Sequence, residues 1–405
     1  MMFYKETNFK DTEIGRIPKE WEVVKLKDIA DIIMGQSPPS STYNREGTGL
    51  PFLQGKMEFG EIFPSPVLYC SNPIKVVEAN DVLISVRAPV GDVNLAPYKL
   101  CIGRGLAAVR FNSRVANHLF YFYYLKKIKA SLEVLGKGST FKAIVKGDLE
   151  NLKVPHPSLK EQQKIAEVLS TVDEALQKTN EIIAKTERLK KCLMQELLTK
   201  GIGHKEFKDT EIGKIPKTWQ VVSIGDVCKQ RNEIVQPSMN GKEPFVGLEH
   251  ITSGETRLCK FAQSVDVKSA KFRFYAGDIL YGKLRPYLDK AVIADFNGIC
   301  STDLLVLRPK ENVVKEFLIY VLHSDDFIKY AIRTTTGTNH PRTSWSAISK
   351  FKFGLPEYSE QQNIAKILSA VDTKLELEKK GKAKLERIKQ HLMDLLLTGK
   401  IRVKI

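Results

Sequence analysis

The residues of this chain best suited to chemistry are hydrogen-bonding and cationic side chains in turn contexts. In the first half they are Gln36, Tyr43, Gln54, Lys56, Arg87, Arg104, Lys137, Ser139, Thr140 and Lys142; in the second they are Lys283, Arg285, Tyr287, Arg333, Asn339, His340, Arg342 and Thr343. These types suit recognition of a nucleic acid. Arg matches guanine O6 and N7, Gln and Asn match adenine N6 and N7, and Lys, Ser and Thr reach phosphates. Taken singly, each is better read as an ordinary loop position. The clusters carry the weight: Lys283-Leu284-Arg285-Pro286-Tyr287 and the run Thr334 to Arg342 put several donors on short tethers beside rigid strands.

Reaction chemistry is not legible. Gly136-Lys137-Gly138-Ser139-Thr140 has the composition of a phosphate loop without its spacing. The lone Pro-Pro, Ser37-Pro38-Pro39-Ser40, lacks the flanks of an amino-methyltransferase motif, and Asp266-Val267-Lys268 lacks the upstream Pro-Asp of a nuclease. The seven histidines show no metal-binding pair spacing, and the six cysteines are far apart with no CxxC, as in a reduced, cytoplasmic protein. No resident cofactor or metal is expected.

Lys and Arg exceed Asp and Glu by 63 to 47, a net charge of +16. That balance fits a polyanionic partner or a Lys-rich solvated surface, and charge alone does not choose. No run reaches the roughly 18 apolar residues of a membrane span, and the start lacks the apolar core of a signal peptide.

The elements that must position these residues come twice. FKDTEIGRIPKEWEVV from Phe9 recurs as FKDTEIGKIPKTWQVV from Phe207, and EQQKIAEVLSTVDEAL from Glu161 recurs as EQQNIAKILSAVDTKL from Glu360. ERLKKCLMQELLT from Glu187 recurs as ERIKQHLMDLLLT from Glu386. A period near 200 residues is a duplicated domain set, since solenoid units run about 20–50. The frames agree and the middles differ. Each middle reads as short buried strands (81–89 and 105–111; 278–288 and 301–309), an aromatic helix (117–135; 317–332), a small-residue loop and an extended exit. At helical spacing the run Phe120–Tyr124 is core and not a base-stacking platform.

Each half then turns helical for about 40 residues, or about 60 Å. Ile165, Leu169, Val172 and Leu176, and Ile364, Leu368, Val371 and Leu375, step by three and four as in a coiled-coil seam. Lys190 breaks the first series; Lys382, Lys389, Glu378 and Gly381 weaken the second, where a fray or bend is expected at Gly381. A narrow stripe of that length needs a partner, and an antiparallel pairing of the two copies supplies it.

Order and motifs together resemble the specificity subunit of type I restriction–modification enzymes. The resemblance covers nearly the whole chain: IGRIPKEW and IGKIPKTW, the junctions KVPHPSLKEQQKIAEVLS and GLPEYSEQQNIAKILS, the exits LLTKGI and LLTGKI, and middles such as ISVRAPVGDVN and DILYGKLRPYLDKA. It implies an α+β architecture: two mixed α/β target-recognition domains separated by two long antiparallel helices forming a coiled coil, with a pseudo-twofold internal duplication. The parts would be a hook at 1–20, recognition domains at 21–157 and 219–357, a second hook at 201–218, and spacer helices at 158–200 and 358–405. Each recognition domain would read half of a bipartite site in double-stranded DNA. The helices would set the spacing and dock two modification subunits, which carry S-adenosylmethionine, and restriction subunits would join them. This chain would have no catalysis of its own.

The residues support the same picture independently. Two unlike readers on a stiff rod make a ruler, and half-sites one turn apart lie about 34 Å apart. The N-terminal hook is expected to pack at the end of the C-terminal helix, so that a circular permutant opened near Gly201 would still work. The competing readings are a coiled-coil adaptor that binds proteins and a self-sufficient methyltransferase or nuclease. Neither explains unlike inserts in a repeated frame.

Overall fold

The computed structural model describes residues 3–135, 143–237 and 241–404. The chain forms two compact units, Met1–Asn180 with Lys380–Ile405, and Glu181–Lys379. Each contains one of the two sheet-bearing domains and a stretch of each long helix.

In the first unit, an all-antiparallel four-stranded sheet runs in the order Val93–Leu95, Val82–Ser85, Leu106–Phe111, Ala30–Met34. Its central strands are buried on both faces, which is why they read as apolar runs. Alternation sorts their side chains. Val82, Ile84, Ala107 and Val109 face the core around the aromatic helix, while Leu83, Leu106 and Ala108 face a second core with Leu53, Leu100 and Ile102 from a five-stranded sheet. The second unit repeats this. Ile279, Tyr281, Leu305 and Leu307 face the helical core; Leu280, Leu304 and Val306 face the second sheet.

The aromatic helix spans His118–Lys127, with Phe120 to Leu125 all buried. It is shorter than the expected 117–135: Ile128 leaves helical geometry, and a separate helix follows at Lys129–Leu135. Its counterpart also divides, into Lys315–Leu322 and Asp325–Arg333, because the Ser324 hydroxyl accepts from the Phe327 amide and starts a new helix.

The repeated frame has a local reason at nearly every position. The Nε1–H of Trp21 donates to Glu161 (3.1 Å), and that of Trp219 to Glu360 (2.9 Å). The next residue ties the aromatic helix to the long one. Gln162 accepts from the Asn117 amide and donates to the Pro157 carbonyl; Gln361 accepts from Val314 and donates to Pro356. Glu161, Gln162 and Gln361 are buried and Glu360 is half-buried, each with partners, so the EQQ motif recurs for structural cause.

The long helices span Leu159–Thr199 and Tyr358–Leu396. In the first unit Ile165 and Leu169 share a core with Met393 and Leu396; in the second, Ile364 and Leu368 share one with Leu197. Both pairings are antiparallel. Leu176 and Leu375 are also buried, and Val172 and Val371 half-buried. Two expectations change here. The second helix runs unbroken through Gly381, which is exposed. Lys190 and Lys389 are not breaks in the seam, because Lys190 pairs with Asp372 and Lys389 with Asp173.

At the ends of the chain, Phe3–Lys5 pairs antiparallel with Ile401–Val403. Arg402 Nη1 donates to Glu6 (2.6 Å), and Nη2 to Glu161 (2.9 Å) and Glu20 (3.1 Å). The first hook thus packs at the end of the C-terminal helix.

Candidate nucleic-acid interface

In the first unit three backbones converge at one corner of the five-stranded sheet. They are Gly35-Gln36-Ser37, Leu53-Gln54-Gly55 and Gly103-Arg104-Gly105. The amides of Gly35, Gln36 and Gly103 donate to the carbonyls of Leu106 (2.9 Å), Ile102 (3.1 Å) and Leu53 (2.8 Å), and the Arg104 amide donates to Ser37 Oγ (3.2 Å). A Cβ at Gly35 would lie 2.2 Å from the Gly103 carbonyl oxygen, so only glycine permits the approach. Gln36, Gln54 and Arg104 are exposed at this corner. Arg87 is also exposed, just past the strand Val82–Ser85, where the Val86 amide donates to the Gly105 carbonyl.

Two candidates serve structure instead. The Tyr43 hydroxyl donates to the Pro38 carbonyl (2.8 Å), and its ring lies 4.7 Å from that of Phe52. Lys56 is paired with Asp92, which also accepts from Lys129 (2.6 Å). Burial pushes the Asp92 carboxyl up, but the hydrogen bonds from Lys129 and Lys56 prevail and hold it below the usual carboxylate range. Lys137, Ser139, Thr140 and Lys142 lie outside the described residues.

In the second unit the candidates gather at the end of the strand Ile279–Gly282. The Thr343 amide donates to the Lys283 carbonyl (3.0 Å), and the Arg285 amide to the Pro341 carbonyl (2.8 Å). This brings Lys283, Arg285 and Tyr287 beside the segment bearing Asn339, His340 and Arg342. Arg285 and Asp289 have φ of 52° and 48°, left-handed values that non-glycine residues rarely hold, at the two ends of the short turn Pro286–Leu288. Arg285 and Tyr287 are exposed, as are Arg333, Asn339 and His340. Arg342 is exposed but engaged, its Nε donating to Asp303 (3.0 Å). Thr343 is buried inside the domain, at 3% exposure.

Sequence reasoning missed the groups that brace these loops. His323, near the aromatic helix, contacts Asp289 through Nδ1 (2.6 Å) and the Ala291 carbonyl through Nε2 (3.0 Å), anchoring the strained turn. Asp81 accepts from Arg110 (2.6 Å) and the Glu78 amide (2.9 Å); Asp278 accepts from Arg231 (2.9 Å) and the Tyr275 amide (2.9 Å). The two arginines sit on different strands of the common sheet, so no repeat in the sequence signals the shared device.

The comparisons with known proteins agree with one another. The family described as "Type I restriction modification DNA specificity domain" matches residues 18–188 and 216–387. A putative type I restriction enzyme MjaX specificity subunit of Methanocaldococcus jannaschii is 54% identical over 198 residues, 48% of this chain and 47% of that relative, so this match spans about half of each. The MjaVIII specificity subunit of the same organism is 31% identical over 428 residues, covering 100% of this chain and 98% of the relative. Among solved structures, the type I restriction–modification S subunit from M. genitalium aligns with a TM-score of 0.63 at 17% identity, over 95% of this chain and 96% of that one. With two matched domains spanning most of its length, the chain belongs to the type I restriction–modification DNA specificity subunits, the non-catalytic sequence-recognition components of those systems.

Proposed function

We propose that each recognition domain reads one half of a bipartite site in duplex DNA, and that the long helices fix the gap and dock two modification subunits. S-adenosylmethionine and methyl transfer would reside on those partners, and restriction subunits would complete a cytoplasmic assembly. The observation that carries this reading is the pairing of a repeated frame with unlike loops. The same Trp–Glu and Gln clasps hold both domains, while the positions of Gln54 and Arg104 in one are taken by Gly247 and Thr302 in the other. Unlike readers imply unlike half-sites.

Docking of two copies of one partner is supported by what the frame repeats on its surface. Leu189 and Ile388 occupy equivalent helix positions, 51% and 40% exposed, each preceded by Glu-Arg. Exposed apolar side chains kept at both copies suit a packed helical partner. No helix among the described residues is long and apolar enough to cross a membrane.

The test is co-expression with the modification subunit, followed by methylation mapping. A two-part motif with a fixed gap is expected, and replacing residues 25–150 should change one part only. Binding to duplex DNA that does not weaken with added salt, or a chain that methylates alone, would refute the reading.

A further inference from the structure

The two domains share four strands of the larger sheet and add the fifth at opposite edges. In the first, Tyr43–Asn44 lies beside Leu68–Cys70, itself beside Leu50–Leu53; in the second, Ile234–Val235 lies beside Lys271–Phe274. The glycine-packed corner of the first domain is built at the ends of two strands that both domains share, Leu50–Leu53 and Leu100–Ile102. The amides of Gly35, Gln36, Gly103, Arg104 and Gly105 are spent there, the last on the Gln54 carbonyl (3.3 Å). A Cβ at Gly105 would lie 2.7 Å from that same oxygen. Backbone held this closely fixes where Gln36, Gln54 and Arg104 emerge.

Register identifies the counterparts. The parallel ladder pairs Ile102 with Leu53 in one domain and Cys300 with Val246 in the other. The Gly103 amide donates to Leu53 as the Ser301 amide donates to Val246, each at 2.8 Å. Gln54 thus corresponds to Gly247, and Arg104 to Thr302. A contact that only sets register on the phosphates has no reason to differ between two domains on one frame. A contact that reads bases must differ when the half-sites do.

We propose that Gln36, Gln54 and Arg104 are the base-reading set of the first domain, taking the major-groove edges of a guanine (Arg104) and of adenines (the glutamines). The inference rests on the DNA reading above. Two of the three heads are uncharged, so their contribution lies in discrimination and hardly in counterion release. The second domain reads instead from the turn Arg285–Asp289 and the adjoining segment at Asn339.

The experiment uses the complex of the full chain with its modification subunit. Methylation motifs and salt-dependent DNA binding are compared for wild type, Arg104→Ala, Arg104→Lys and Gln54→Ala. Each variant should relax one position in one half of the motif, with discrimination falling about 5- to 150-fold. The other half should be unchanged. The salt slope should fall by no more than about 1 for Arg104→Ala and stay constant for Gln54→Ala. Arg104→Lys keeps the charge and lacks the planar fork, so it should lose guanine selection in a complex of unchanged melting temperature. Uniformly weaker methylation with every motif position retained would overturn the assignment, as would an altered second half. A wild-type complex that writes no two-part motif would refute the underlying DNA reading, and the assignment with it.

Discussion

Lys190 Nζ lies 2.6 Å from Asp372 Oδ1, joining the first long helix to the second within the second unit. Asp372 also accepts from the Tyr320 hydroxyl (2.8 Å), so one carboxylate couples both helices to the aromatic helix of the recognition domain. The first unit contains the mirror arrangement: Lys389 pairs with Asp173, which accepts from Tyr123 (2.7 Å). The desolvated tyrosine hydroxyls are correspondingly poor acids, pushed above the ordinary range by burial and then by the adjacent carboxylate in Tyr123. A polar pair in an apolar seam specifies register, because any slip would strand a charge. Lys190→Met should therefore destabilise the chain by about 2 kcal/mol, while Lys190→Met with Asp372→Asn, which keeps an acceptor for Tyr320 and strands no charge, should recover most of the loss. Urea denaturation of the two variants checks this. A double variant no better than the single one would refute the register role.

Arg402 provides the second prediction. Its loss would leave the carboxylate of Glu161, 1% exposed, with only the Trp21 indole as a hydrogen-bond donor among the described residues. Arg402→Ala should cost about 3–5 kcal/mol, since an uncompensated buried charge remains. Glu360 occupies the same place in the second unit and is satisfied by Trp219, the Ile202 amide (3.0 Å) and His204 (2.8 Å) on a continuous chain. The antiparallel pairing of Phe3 with Val403 lets a short turn join the termini. Gly201 itself is buried close to Trp219, which moves the best opening of a circular permutant to exposed Lys205. That permutant should fold and support methylation; a permutant that folds but recruits no modification subunit would argue against interchangeable closures.

Acid should destabilise the first unit in two stages. Burial lowers the pKa of His156 and of His118, and the Tyr121 hydroxyl lies 2.8 Å from His156 Nδ1. The folded state thus favours neutral imidazole. Below the unfolded value of about 6.5 the unfolded chain binds protons that the folded chain does not, so stability present above pH 6.5 is lost as pH falls. A second loss should begin below about pH 4, where the carboxyls of Asp92 and Asp394 take up protons in the unfolded chain while lysine partners keep them ionised in the fold. Denaturation midpoints of wild type and His156→Gln between pH 7 and 3.5 check this. The variant should shrink only the first stage, leaving the share due to His118.

Gly381 sits in open space on an exposed helix face. Gly381→Ala should stabilise the chain by about 0.5–1 kcal/mol through reduced backbone freedom in the unfolded state. A lower melting temperature would indicate that the unbroken helix is not the conformation the chain holds in solution.

The sequence made much of this legible because local pattern determined it. The buried aromatic run, the long helices and the repeated Trp, Glu and Gln all follow from periodicity or duplication. What it hid depends on partners distant in the chain. Lys190 looked like a flaw until Asp372, 182 positions later, came opposite it. Thr343 and Lys56 looked free because nothing nearby reveals that the first is covered and the second is paired with Asp92. The fifth strand on opposite edges left no trace either, since its two-residue segments carry no period.

Each recognition domain enters and leaves the frame through one two-stranded clasp, Lys25 opposite Lys153 and Ser223 opposite Lys352. The loops between those paired ends can change without disturbing the splice. Because closely similar peptide segments flank both inserts, a whole insert exchanged between two such frames would meet the same clasp at both ends, giving the chain a new reader in a single step.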